Sequence, residues 1–168
     1  MNIRSLPIVA VLVCALTGAG LYSRTSGSAD EQAIRALYGR FPAAIAAKDL
    51  DAVMSLYTAD VVAFDAFPPR QYTGAAAYRR DYEAFFAEFP GPAKSEIADL
   101  HIEVAGSVAF AYGIDRWTVT GKDGQPVAMV FRFTDVFRKT HGKWLIAHEH
   151  LSFPVDAATG KADFSSSP

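Results

Sequence analysis

The stretch Gly142-Lys143-Trp144-Leu145-Ile146-Ala147-His148-Glu149-His150-Leu151-Ser152-Phe153-Pro154 alternates with a period of two, which predicts a β-strand. Strict alternation puts Trp144, Ile146, His148, His150 and Ser152 on one face. Leu145, Ala147, Leu151 and Phe153 take the other, interrupted only by Glu149. A half-buried strand ordinarily has one apolar and one polar face. Two imidazoles and a hydroxyl beside a tryptophan and an isoleucine instead suggest the wall of a ligand pocket. The other reading is that both histidines are structural hydrogen-bond partners or meet a second subunit.

Upstream of this strand the period remains two. Residues 97–104 alternate, with Asp99, His101 and Glu103 on one side and Leu100, Ile102 and Val104 on the other. Gly106-Ser107 makes a turn, residues 108–120 form a long strand, and Asp123-Gly124 signals a hairpin into a strand over 127–139. Before Pro90 the period is that of helices. Ile34, Leu37, Tyr38, Phe41 and Ile45 form one apolar stripe, which Pro42 is expected to kink or split. Asp49 reads as the cap of a short second helix. Tyr78, Tyr82, Phe85, Phe86 and Phe89 stripe a third. A strand over 61–67, ended by Pro68-Pro69, must join the sheet and is expected at an edge. Three helices followed by a four-strand antiparallel meander define an α+β domain.

At 168 residues, 51% hydrophobic and 20% charged, the chain has the composition of one folded domain with a proper core. Arg4 precedes an apolar run from Leu6 to Tyr22, and small residues lead to Gly27-Ser28-Ala29. This is the layout of a secretory signal peptide over residues 1–29, and it implies a periplasmic or secreted protein. Cleavage after Ala19 or Gly20, and an uncleaved anchor, are the alternatives. The only cysteine, Cys14, falls inside the leader, so the mature chain has no disulfide, thiol nucleophile or zinc-thiolate site. Removing residues 1–29 takes away Arg4 and Arg24 and leaves 14 basic against 18 acidic residues, a net charge of −4. No basic stripe favours nucleic acid as a partner. No stable membrane insertion is expected after cleavage, and the Ala/Ser/Gly-rich tail over 156–168 is expected to fray.

Residues 30–155 resemble SnoaL-like proteins of the NTF2-like (ketosteroid isomerase-like) superfamily. Lys48-Asp49-Leu50-Asp51 with Tyr57 is similar to the family's second-helix signature. Val61-Val62-Ala63-Phe64-Asp65, then Pro69, Tyr72 and Gly74, resembles its first strand and the entry to helix three. Phe131-Arg132-Phe133-Thr134 resembles its Arg-x-Thr strand, and Trp144 to Pro154 its ending. The association domain of calmodulin-dependent kinase II ends in a similar Trp…His-x-His-x-Ser run. The resemblance implies a cone, with helices packed on a strongly bent, mainly antiparallel sheet around an apolar mouth. Homodimers are common in the superfamily. Its members include isomerases, dehydratases, cyclases and assembly modules, so the fold alone does not fix a reaction. The tyrosine-and-two-aspartate set of ketosteroid isomerase finds no complete counterpart here.

Asp65 is the sharpest candidate acid, because it ends an apolar strand and precedes Ala66-Phe67-Pro68-Pro69. Burial there would raise its pKa toward that of a general base, or the carboxylate caps the Pro-Pro turn. His148 is the expected donor to a developing oxyanion. His150, Arg132 and Thr134 are expected to orient a ligand, although Arg132 suits an ion pair with Asp65, Asp115 or Glu149 equally well. Tyr57, Tyr72 and Trp117 are expected at the mouth or in the core, and Asp115 is a weaker second acid. No cofactor and no metal site is expected. The sequence therefore predicts an apolar pocket for a small carbonyl- or carboxylate-containing molecule, with cofactor-free isomerase or lyase chemistry by an Asp/His pair. The alternative is a non-catalytic ligand-binding or dimerisation module.

Overall fold

The computed structural model describes residues 28–164. Helix α1, Ala29–Ala47, begins where Ser28 Oγ accepts from the Glu31 amide at 3.2 Å, with Asp30 and Glu31 placed favourably in its first turn. It runs through Pro42 without splitting and stops at Lys48, whose φ is 52°. Ile34, Leu37, Tyr38, Ala44 and Ile45 bury its inner face on both sides of the proline, so packing holds the helix together across the lost hydrogen bond. Helix α2, Leu50–Met54, is a single short turn capped by Asp49 Oδ1 on the Ala52 amide at 3.0 Å. Helix α3, Ala75–Glu88, buries Tyr78, Tyr82 and Phe86, as its stripe predicts.

Six strands form one sheet: β1 (Tyr57–Phe64), β2 (Tyr72–Thr73), β3 (Ala93–Ala105), β4 (Val108–Thr120), β5 (Pro126–Thr140) and β6 (Lys143–Ser152). Their order is β2-β1-β6-β5-β4-β3. The meander from β3 to β6 is antiparallel, as expected. β1 starts four residues earlier than expected and lies parallel to β6, one place in from the edge. The two-residue β2 covers its free side. The architecture is α+β, with the helices on one face of the curved sheet and the core between them. No helix among the described residues is long and apolar enough to cross a membrane.

One irregularity controls the site. In the β5–β6 pairing Val136 faces His148, yet Phe137 faces Ile146, so Ala147 is an extra, unpaired residue. Such a bulge shifts the alternation by one. Trp144 and Ile146 are buried before it, and Glu149 is buried after it. The strict alternation that placed His148 and His150 with Trp144 is thereby overturned, and Glu149 takes the inner face.

The leader expected over 1–29 falls outside the described residues, except for Ser28 and Ala29 at the start of α1. The frayed tail expected from Asp156 is instead held as far as Phe164. Val155 bridges Ala162, Asp156 Oδ1 caps the Ala158 and Thr159 amides, and the Phe164 carbonyl accepts from the Val130 amide at 3.0 Å. The Phe164 ring meets Phe153 edge-on at 4.5 Å.

Candidate functional site

A cavity of about 390 Å³ opens between α3 and the inner face of the sheet. Phe67, Tyr82, Phe85, Trp117, Met129 and Phe131 supply most of its wall, and Phe164 reaches it from the tail. The volume and aromatic lining suit a small, largely apolar molecule. Behind it lies a space of about 40 Å³ that shares Tyr82, Trp117, Phe131 and Leu151 as walls. Its polar groups are the carboxyls of Asp115, Asp135 and Glu149 with the phenols of Tyr38, Tyr57 and Tyr82. Among the described residues, no lysine, arginine or histidine lines either space.

Asp65 follows directly on β1 and lines the outer cavity beside Asp81. Its Oδ1 accepts from the Phe67 amide at 2.9 Å, so it also caps the turn, and its Oδ2 lies 3.4 Å from the Tyr78 hydroxyl. Burial pushes the carboxyl from its ordinary 3.8 up to about 6, with the Asp81 charge adding to the rise and the Phe67 amide opposing it. One side chain is thus both raised by burial and a cap on the turn.

Glu149 sits at the centre of a buried network. Tyr57 donates to Oε2 at 2.9 Å, Tyr78 makes a short hydrogen bond to Oε1, and the Tyr57 and Tyr82 hydroxyls are 3.3 Å apart. Burial first, and the neighbouring Asp135 second, hold the Glu149 carboxyl well above the usual carboxylate range. Asp135 accepts from Tyr38 at 2.6 Å, and burial raises it to about 7. Its other oxygen is buried without a hydrogen-bond partner, and Asp135 lines the small inner space, which has room for a water molecule. Asp115 is satisfied on both oxygens, by Ser95 Oγ and Trp117 Nε1, each at 2.7 Å.

The other expected site residues separate into two groups. Tyr57 and Trp117 are buried on the inner side, and Trp117 walls the cavity. Tyr72 stacks on Tyr78 and donates to Asp81 Oδ1 at 2.6 Å, outside the cavity wall. His148, His150, Arg132 and Thr134 lie on the opposite face of the sheet. His148 Nδ1 is 2.7 Å from the Val62 carbonyl, so that nitrogen carries the proton, and both imidazoles meet the ring of Phe64. Arg132 donates to the Phe153 carbonyl at 3.1 Å, and exposed Thr134 pairs across strands with Tyr112 and His150. The structure therefore does not bring His148 to Asp65. Reading by alternation missed Glu149 and Asp135 as site groups, and the helical stripes placed Tyr38, Tyr78 and Tyr82 on buried faces without marking their hydroxyls. A glutamate standing alone among Leu145, Ala147, Leu151 and Phe153 was the one available signal. Among the described residues no group of three or more metal-ligating side chains is placed to hold an ion.

Helices wrapped by one curved sheet, with a cavity at their junction, define the NTF2-like class. A model of the SnoaL-like domain matches residues 34–156, and the chain belongs to that family. An NTF2-like protein of unknown function from Pseudomonas putida KT2440 is 33% identical, with a TM-score of 0.77 over 84% of this chain and 99% of that one. A proposed dehydratase of the NTF2-like family from Streptomyces avermitilis shares the fold at 23% identity and a TM-score of 0.65, over 76% of this chain and 97% of that one. An NTF2-like superfamily protein from Salmonella enterica serovar Typhimurium LT2 does so at 21% identity and a TM-score of 0.68, over 79% and 96%. Among curated proteins none matches the chain.

Proposed function

We propose that this SnoaL-like protein binds a small, neutral, largely apolar carbonyl compound in the 390 Å³ cavity and moves a proton on it without a cofactor. Asp65 is the base, and the Tyr82 hydroxyl donates to the carbonyl oxygen as charge develops there. One observation supports this reading: Asp65, whose carboxyl is raised to about 6, and Tyr82, whose hydroxyl joins the buried network behind the wall, line the same aromatic cavity. A base tuned toward neutrality works best near neutral pH. Between the carbonyl and carboxylate ligands expected from sequence, charge favours the carbonyl. Asp65 and Asp81 line the cavity, Glu88 at its wall is already paired with Lys122 at 2.7 Å, and no cation lines it to offset a ligand carboxylate. The dehydratase proposal for the Streptomyces protein fits the same class of proton-transfer chemistry.

The test uses 2-tetralone as a probe ketone in D2O, with α-hydrogen exchange followed by proton NMR. The protein is expected to accelerate exchange, and Asp65→Asn is expected to abolish the acceleration. Equal rates with the two proteins would defeat the assignment.

Assembly is the second reading, and the outer sheet face favours it. Phe64, Phe110 and Tyr112 remain 38%, 40% and 43% exposed there, flanked by His101, His148 and His150. A second copy of this chain is the proposed occupant, and it is compatible with ligand binding on the opposite face. Export is part of the same proposal and rests on the leader pattern. Fractionation of the native source with N-terminal sequencing tests it: recovery from the cytoplasm with Met1 intact would overturn export, and Met1 intact in the membrane fraction would overturn cleavage.

A further inference from the structure

Asp65 and Tyr82, both on the cavity wall, are joined behind that wall by a continuous chain of polar atoms. From Asp65 Oδ2 it is 3.4 Å to the Tyr78 hydroxyl, which makes the short bond to Glu149 Oε1. From Glu149 Oε2 it is 2.9 Å to the Tyr57 hydroxyl, and a further 3.3 Å to that of Tyr82. The three middle residues are buried, with Tyr78 at 0%, Tyr57 at 5% and Glu149 at 6% exposure. The chain draws on three elements: Tyr57 from β1, Tyr78 and Tyr82 from α3, and Glu149 from β6.

A buried carboxyl surrounded by phenols is a costly way to fill a core, since an apolar side chain of similar volume would carry no desolvation penalty. Each member of this chain can nonetheless both accept and give a proton. A phenol does so on one oxygen, and a carboxylic acid accepts on one oxygen while giving from the other. We propose that Asp65, Tyr78, Glu149, Tyr57 and Tyr82 form a proton-return path that closes the reaction within the cavity.

The path rests on the reading of Asp65 as base and adds how the proton is returned. Asp65 takes a proton from the carbon next to the ligand carbonyl, and the C–H electron pair becomes the C=C of an enol. Protonated Asp65 passes its proton to the Tyr78 oxygen, and Tyr78 passes its own to Glu149 Oε1. Glu149 starts this step as the neutral acid with its proton on Oε2, so the 2.9 Å bond to Tyr57 is reversed from the direction it has with an ionised Glu149, and that proton passes to Tyr57. Tyr57 gives its proton to Tyr82, and Tyr82 gives its proton to the ligand oxygen. One C–H bond breaks, one O–H bond forms, and every protein group ends with the charge it began with. Tyr78, Glu149 and Tyr57 are positioning residues here, since they act through Asp65 and Tyr82. The other charged groups facing the path are Asp135 of β5, itself held by Tyr38 of α1, and Asp81 of α3 beside Asp65.

Two measurements test the path. In ligand-free protein labelled at the carboxyl carbons, the Glu149 resonance is expected to move together with that of Asp65 as Asp65 titrates. In Tyr78→Phe it is expected to follow by much less, because the through-space effect of the Asp65 charge remains and only the hydroxyl link is lost. A Glu149 carbon that ignores Asp65 in the wild type, or follows it as far in Tyr78→Phe as in the wild type, overturns the path. In the 2-tetralone assay, Tyr78→Phe and Glu149→Gln are each expected to slow exchange by about a hundredfold, at the low end of what a proton-transfer group contributes. They should also alter its pH profile. Wild-type rates and pH profiles in both folded variants overturn the path while leaving Asp65 as base. Equal exchange by wild type and Asp65→Asn instead removes the base, and the path as a catalytic device falls with it.

Discussion

Replacing Asp65 by asparagine should stabilise the protein at neutral and alkaline pH and do little at pH 4. In the unfolded chain this carboxyl ionises near its ordinary 3.8, and in the fold it ionises at about 6. The folded state therefore prefers the protonated form. Below about pH 4 both states hold the proton and Asp65 costs nothing. Between about pH 4 and 6 the unfolded chain releases its proton first, so stability falls as pH rises, and above about 6 the loss is complete. At about 1.4 kcal/mol per tenfold change in proton affinity the full effect is about 3 kcal/mol. Solvent at the partly open wall reduces it to about 2 kcal/mol. Asparagine keeps the oxygen that accepts from the Phe67 amide and carries no charge to desolvate. Asp135 and Glu149 are raised in both proteins, but the Asp65 charge is one cause of the rise at Glu149, so its removal adds to the gain at alkaline pH in the same direction. Urea unfolding of the two proteins at pH 4, 6 and 8 reads the difference as a shift in midpoint at constant slope. A gap that is the same at pH 4 and pH 8, or a variant less stable at pH 8, would refute the reasoning. The expected result would also explain why a charged residue occupies this wall, since a group kept at a stability cost suggests function.

Two other outcomes follow from packing. Gly113→Ala should destabilise by about 1–3 kcal/mol, because its Cβ would lie 2.9 Å from the Ala98 carbonyl and 2.9 Å from the Phe133 ring, and an unchanged urea midpoint would contradict this. Phe110→Glu should convert a dimer to a monomer in sedimentation velocity while leaving 2-tetralone exchange intact, because Phe110 lies on the outer sheet face; loss of exchange in a folded monomer would mean that the two faces are not independent.

Most of the architecture was legible because it depends on local patterns that hold along whole elements. The aromatic stripe of α3 repeats at helical spacing, and the bounds of β4 match its sequence pattern residue for residue. Pro42 misled because a single residue's backbone cost was set against an apolar face that continues on both sides of it, and the face prevailed. The position of β1 depends on pairing with β6, almost ninety residues away. That pairing comes in two pieces, Tyr57 with Ile146 and then Val62 to Phe64 with His148 to His150, and no local pattern encodes it.

The site was half legible, and the reason lies at Ala147. Asp65 could be found because its neighbours on both sides are apolar, so burial followed from adjacency alone. Glu149 could not be placed the same way, because its face depends on counting from Trp144, and one unpaired residue reverses that count. The same inserted residue sends His148 out to the Val62 carbonyl and the Phe64 ring, and brings Glu149 in to Tyr57 and Tyr78. A bulge leaves hardly any trace in composition, since alanine suits either face. What the sequence does contain is a conflict: a glutamate that strict alternation assigns to an otherwise apolar face, and two histidines assigned beside a buried tryptophan. Shifting the register by one after Ile146 changes both. The histidines then share a partly solvated face, and the glutamate reaches phenols that can bind it. A bulge that exchanges imidazoles for a carboxyl at the centre of the core changes the chemistry of the inner space behind the cavity from basic to acidic.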